Sequence, residues 1–129
     1  MMTVDSSVWI DFFRNRSTPQ TATLCALMEG NEDQLVVLDL VLMEVLRGFA
    51  HDHEWRLARD AFANLPLATA GGEAVALRAA DLYRQQRRRG ITIRSPIDLM
   101  VAAWCLEHGC ALVHADRDFH GIDGLAGVL

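Results

Sequence analysis

Short apolar runs in this chain alternate with longer stretches in which apolar residues recur every three or four positions. The runs Thr3-Val4, Gln34 to Leu38, Leu67-Ala68-Thr69 and Ala111 to His114 end in turn or cap residues, and each predicts a brief buried strand. The periodic stretches predict helices over Ser6 to Phe13, Pro19 to Glu29, Asp39 to Phe49, Asp52 to Asn64, Gly72 to Arg89 and Pro96 to His108. Strands that alternate with helices and are apolar on both faces need cover on both sides. The expected fold is an α/β protein, a three-layer α/β/α sandwich around a short, mainly parallel sheet. No Pro-, Gly- or Ser-rich tract breaks the pattern and no internal repeat is visible, so residues 1–129 read as a single domain. In such folds ligands collect beyond the carboxyl ends of the strands, so acids found there carry the most weight.

Asp5 directly follows the first strand, where a helix N-cap and a ligand call for the same residue type. Glu44 interrupts Leu40-Val41-Leu42-Met43 and Val45-Leu46 in the most apolar helix of the chain. An ionised carboxylate there is costly unless it is paired or binds a cation. Arg47, three residues on, is the local partner. Asp98 stands third in a helix that Ser95 caps and Pro96 opens, and capping is a complete structural account of it. Capping does not explain why so apolar a helix, Leu99 to Trp104, begins with an acid aimed at the strand-end rim. Asp116 and Asp118 follow the strand Leu112-Val113-His114; loop aspartates form Asx-turns, but two acids one residue apart also make a dense negative cluster. The α/β order brings Asp5, Glu44, Asp98 and Asp116 to one rim. Carboxylates grouped there need protonation or a hard cation, and oxygen ligands suit Mg²⁺ or Mn²⁺.

Composition sharpens this picture. With 51% hydrophobic and 22% charged residues in 129 positions, the chain can bury a core without disulfide or metal staples. Its net charge of −5 disfavours binding to nucleic acid by general cationic attraction. With the four proposed ligands set aside, however, 13 acids face 12 basic residues, so most of that excess belongs to the site itself. All the basic residues are arginines. The absence of lysine excludes Schiff-base chemistry, the P-loop lysine and lysine-assisted aspartyl-phosphate mechanisms, and leaves arginine and metal to meet phosphate. Three cysteines with no repeated spacing do not make a secreted disulfide framework, which suggests a reducing cytoplasm. The start, Met1 to Asp5, lacks an export pattern, and the longest apolar run, Leu99 to Leu106, is far short of the roughly 18 residues of a membrane span. Cys105, His108, Cys110 and His114 match no standard zinc-ligand spacing, and His51 and His53 are expected to be solvated.

The chain resembles the PIN-domain ribonucleases, and most closely the VapC toxins of bacterial toxin-antitoxin pairs. The resemblance spans essentially the whole chain: Val4-Asp5-Ser6-Ser7-Val8-Trp9-Ile10, then Glu44-Val45-Leu46-Arg47-Gly48, then Asp98 with Ala102-Ala103, and finally Asp116-Arg117-Asp118-Phe119. It implies that Asp5, Glu44, Asp98 and Asp116 hold one or two Mg²⁺ or Mn²⁺ ions. Asp118 would help, and Ser6 would hydrogen-bond a ligand or bound water. It further implies an endoribonuclease, a VapB-type antitoxin as partner and a homodimer. Hydrolysis by metal-activated water leaves a 5′-phosphate and a 3′-hydroxyl. His114 departs from the pattern, because a threonine often stands at that position.

Arg84, Arg87, Arg88 and Arg89 end a long helix, where the helix dipole and solvation favour them. Arg87, Arg88 and Arg94 are the candidates for contact with RNA or antitoxin. Trp9, Phe12 and Phe13 are candidates either for the core or for an antitoxin helix. Two other classes compete. A haloacid-dehalogenase-like phosphatase would place its Asp-x-Asp after the first strand and use a lysine, so Asp116-x-Asp118 fits it poorly. A non-catalytic PIN-like interaction module would have no use for Glu44, which an apolar residue would replace at lower cost.

Overall fold

The computed structural model describes residues 1–30 and 34–128. Five short strands, β1 (Met2–Val4), β2 (Val37–Leu38), β3 (Leu67–Ala68), β4 (Ala111–Val113) and β5 (Gly127–Val128), alternate with six helices. The helices are α1 (Ser6–Phe13), α2 (Pro19–Gly30), α3 (Asp39–Leu46), α4 (Asp52–Ala63), α5 (Glu73–Arg88) and α6 (Pro96–His108). All six helices and four of the strands lie where the apolar pattern puts them. Differences are confined to ends and to β5. The strand expected from Gln34 narrows to Val37–Leu38, with only an isolated bridge at Leu35, and α3 stops at Leu46 rather than Phe49. β5 is two residues long and contains a glycine, so it has no alternation to read; its pairing with β4 comes from tertiary contact.

Every strand pair among the described residues is parallel. β1, β4 and β5 form one sheet and β2 and β3 another. The two are joined where Met2 bridges Leu35 and the Val36 N–H donates to the Met2 carbonyl at 2.9 Å. The buried Thr3 hydroxyl adds a bond to the Val36 carbonyl at 2.6 Å. The resulting order is β3-β2-β1-β4-β5, with the chain running outward from β1 first to one side and then to the other. The direction reverses between β1 and β4, and a crevice opens beyond their carboxyl ends.

The helices fix that crevice. α6 is buried on successive positions from Val101 to Cys105 and packs against α3, α5 and β4, as expected of a helix that is apolar all round. Ala102 and Ala103 are fully buried, their small side chains allowing close approach. Gly109, in the left-handed conformation at φ 60°, ends the helix, and the Cys110 N–H reaches back to the Cys105 carbonyl at 2.9 Å. The helix that carries Asp98 is therefore anchored along its length, with its N-terminus facing the strand ends.

Candidate metal centre

The backbone N–H of Asp5 donates to the Val113 carbonyl at 2.9 Å, which ties the end of β1 to the end of β4. Its side chain is both a cap and a ligand candidate. Oδ2 accepts from the Ser7 backbone N–H at 3.2 Å and from the Ser7 hydroxyl at 2.7 Å, capping α1. Oδ1 is buried and has no hydrogen-bond partner among the described residues. An unpaired buried carboxylate oxygen costs several kcal/mol unless something binds it.

Glu44 reaches the same place from α3. The local alternative to a cation was Arg47, but Arg47 is exposed and forms no ion pair with it among the described residues. The Ser6 hydroxyl donates to Glu44 Oε1 instead, at 2.6 Å. The reason is tertiary: α1 packs on α3 and brings Ser6, in its first turn, to the inward side of Glu44. Ser6 therefore spends its proton on a carboxylate that is itself a proposed metal ligand, the first of the two partners that the resemblance implies for it.

Asp98 begins α6 as expected, with Ser95 Oγ accepting its backbone N–H at 3.3 Å and Pro96 opening the helix. The reciprocal bond of a capping box, from Ser95 N–H to the Asp98 carboxylate, is not found among the described residues, so the side chain is left for the crevice. Asp116 caps the 3₁₀ turn Arg117–Phe119 by accepting the Asp118 N–H on Oδ1 at 2.9 Å. This is the Asx-type turn that the sequence allowed, and it presents both acids from one loop.

Oxygens of Asp5, Glu44 and Asp98 lie within 4.8 Å of one another, and so do oxygens of Asp98, Asp116 and Asp118. Asp98 belongs to both trios. All five acids singled out in the sequence are thus brought together. Burial raises the Asp98 pKa, and the charges of Asp5, Glu44, Asp116 and Asp118 raise it further, to about 7. Asp5 is also pushed up, by burial first and by Glu44 to a smaller extent, against the lowering effect of the Ser7 bonds. Crowding of this kind is relieved by protons or by a hard divalent cation with oxygen preference. The donor set, all carboxylate, with an orphaned Asp5 oxygen, fits Mg²⁺ or Mn²⁺.

Among the described residues no arginine forms an ion pair with one of the five site acids. Arg94 is exposed, one residue before the α6 cap, and makes no ion pair with a site carboxylate. Arg87 donates to the Thr92 hydroxyl at 2.8 Å, Arg88 is exposed, and Arg89 ties the end of α5 to Asp123 at 2.6 Å and to the Gly121 carbonyl at 3.2 Å.

Two residues escaped the sequence reading. Ser7 fixes Asp5, and its place two positions after an N-cap was the available signal. Asp39 follows β2 as Asp5 follows β1, yet its Oδ1 accepts the Ala70 N–H at 2.9 Å and it joins neither trio. Cys105, His108, Cys110 and His114 form no metal-competent group among the described residues. His51 and His53 are exposed.

A PIN domain profile matches residues 2–125. The chain belongs to the PIN domain family. Among curated PIN relatives, the Ribonuclease VapC11 of Mycobacterium tuberculosis is 29% identical over 119 residues, which cover 92% of this chain and 89% of that protein. The PIN fold also recurs in VapBC2 from Rickettsia felis bound to a DNA fragment from its promoter, with TM-score 0.80 and 15% identity over 98% of this chain and 96% of that one. DNA-bound VapBC from Salmonella typhimurium gives TM-score 0.80 and 19% identity over 99% and 98% of the two chains. No described helix of this PIN domain is long and apolar enough to cross a membrane.

Proposed function

We propose that this chain is a divalent-metal-dependent endoribonuclease, the VapC-type toxin of a toxin-antitoxin pair. The observation that carries the reading is the pair of carboxylate trios joined at Asp98, one of them containing a buried Asp5 oxygen with no partner. Bound there, Mg²⁺ or Mn²⁺ would supply Lewis acidity toward water and phosphate oxygen. Asp5, Glu44, Asp98 and Asp116 would hold it, with Asp118 assisting. Ser7 and Ser6 orient Asp5 and Glu44 before any ligand arrives, so those two carboxylates need little reorganisation. Asp98, with a pKa near 7, is about half protonated at neutral pH in the ion-free state and would give that proton up if a cation were bound. Arg94, Arg87 and Arg88, free of the acids, are available to RNA phosphates.

The antitoxin reading has its own support. A cavity of about 560 Å³ lies between α1, α3 and α4, lined by Ile10, Phe13, Val45, Phe49 and Leu57 and rimmed by Arg14 and Glu54. None of the five acids lines it. Trp9 itself is core, 1% exposed against Phe62, so of the three aromatics singled out in the sequence Phe13 is the one that faces the cavity. An amphipathic helix of a VapB-type partner fits such a groove.

The test compares wild type with Asp5→Asn and Glu44→Gln for growth arrest and for Mg²⁺-dependent RNA cleavage. Loss of both activities, with wild-type products ending in 5′-phosphate and 3′-hydroxyl, is expected. Equal toxicity of all three would overturn the nuclease reading in favour of a non-catalytic interaction module.

A further inference from the structure

We propose that His114 is a positioning residue whose ring, wedged between the end of β4 and the 3₁₀ turn, sets where Asp116 and Asp118 stand relative to Asp98. The proposal rests on the metal-nuclease reading and adds to it a residue that belongs to neither trio. The backbone just before His114 is fixed, because the Val113 carbonyl accepts the Asp5 N–H. Two residues later Asp116 opens the turn, with only the exposed Ala115 between. The His114 ring is 2% exposed and lies 5.0 Å from the Phe119 ring and 5.2 Å from the His120 ring. Phe119 ends the turn and is itself buried; His120 is its C-cap. The imidazole therefore links the strand that leads into the acidic pair to the residues that close it.

Nδ1 is buried without a hydrogen-bond partner among the described residues, so the contacts to Phe119 and His120 are made by the aromatic faces of His114, and the Asp116 backbone beside the ring favours its protonated form. A threonine at this position is too short to reach both rings. His114 thus appears as a local solution for holding a loop whose acids have no serine to brace them.

Two substitutions in the full chain separate the wedge from other roles. His114→Phe keeps a planar ring without nitrogens, and His114→Ala removes the ring. Mn²⁺ uptake is followed by the electron paramagnetic resonance of free Mn²⁺, alongside RNA cleavage and circular dichroism. The Phe variant should keep Mn²⁺ affinity and cleavage within about threefold of wild type, while the Ala variant, still folded, should lose at least about tenfold in Mn²⁺ affinity. More Mn²⁺ should then restore much of its cleavage. Wild-type Mn²⁺ affinity in the Ala variant would overturn the proposal, as would a Phe variant impaired as much as the Ala variant. Should the Ala variant not fold, His114→Val, which also lacks the ring, takes its place with the same expected loss and the same overturning result. Absence of saturable Mn²⁺ uptake by the wild type would instead overturn the metal-nuclease reading and this proposal with it, so the two failures are distinguishable.

Discussion

Asp5 and Glu44 leave from the N-cap of α1 and the last turn of α3, and each has a serine hydroxyl holding one of its oxygens. Asp116 and Asp118 cap and occupy a three-residue turn after β4, held by the bond from the Asp118 N–H to the Asp116 carboxylate, by the backbone bonds that close the turn and by the packing of His114, with no serine hydroxyl on either acid. Both pairs use Asp98, yet one is built from helices locked into the core and the other from a loop. The contrast shows two ways to assemble negative charge. On the helix side Asp5 accepts the cost of burial, seen in its raised pKa, while Glu44 stays half-buried, and both gain a fixed geometry from their serines. The loop side stays half-buried and avoids much of that cost, but relies on local packing for its shape. If the comparison is right, a cation should meet a preformed half first and recruit the loop half second.

The strongest way to break the comparison is to remove what the halves share. Asp98→Asn should lower Mg²⁺-dependent RNA cleavage by more than about a hundredfold, beyond the loss typical of a residue that merely supports a ligand. Its backbone N–H still reaches Ser95, so α6 should start normally and circular dichroism should be unchanged. Next comes the difference between the halves. Asp5→Asn should abolish cleavage at any Mn²⁺ concentration, whereas Asp118→Asn should cost about tenfold and recover as Mn²⁺ is raised; equal, unrecoverable losses would erase the distinction. Ser6→Ala tests the brace itself. Releasing Glu44 Oε1 should weaken Mn²⁺ affinity by about 10- to 100-fold, while the melting temperature moves little.

The ion-free protein gives a smaller, pH-dependent effect. Asp98 has a folded pKa of about 7 against an ordinary value of 3.8, so between these values the folded chain holds a proton that the unfolded chain has released. Stability from this group is complete below the unfolded value and is lost as pH rises through 7. His114, whose pKa is lowered by burial and then by His120, acts in the opposite sense below its ordinary 6.5, so the useful window is pH 6.5 to 8. Across it the melting temperature should fall by roughly 3–5 °C, equivalent to about 1 kcal/mol. The slope should shrink in Asp98→Asn, leaving only what the raised pKa of Asp5 contributes, and vanish in saturating Mg²⁺; a rise with pH in the ion-free wild type would contradict the assignment. Smallest of all, Arg47→Ala should change neither cleavage nor stability by more than about 0.5 kcal/mol, because its guanidinium is exposed and unpaired with Glu44.

Much of this was legible in the chain. Helices announced themselves through three- and four-residue periodicity, and the strand-end acids through their position after apolar runs. What could not be read was tertiary. Nothing in the spacing of Glu44 and Arg47 says that Ser6, 38 positions away, takes the carboxylate. Asp39 and Asp5 look alike in sequence, each an acid between a strand and a helix, and only the Ala70 N–H that satisfies Asp39 separates a brace from a ligand candidate. β5 escaped because two residues carry no pattern. Asp98 taken alone reads as a cap and only together with the other acids as a ligand candidate; the structure keeps the Ser95 cap while freeing the acid's side chain.

The central claim, that one divalent-ion site is assembled around a shared Asp98 that is about half protonated at neutral pH, is tested most directly by calorimetric titration of Mn²⁺ into wild type and Asp98→Asn at pH 7 in buffers of different ionisation enthalpy. The account predicts saturable uptake with proton release in the wild type, and loss of both in the variant. Superimposable isotherms for the two proteins would contradict it.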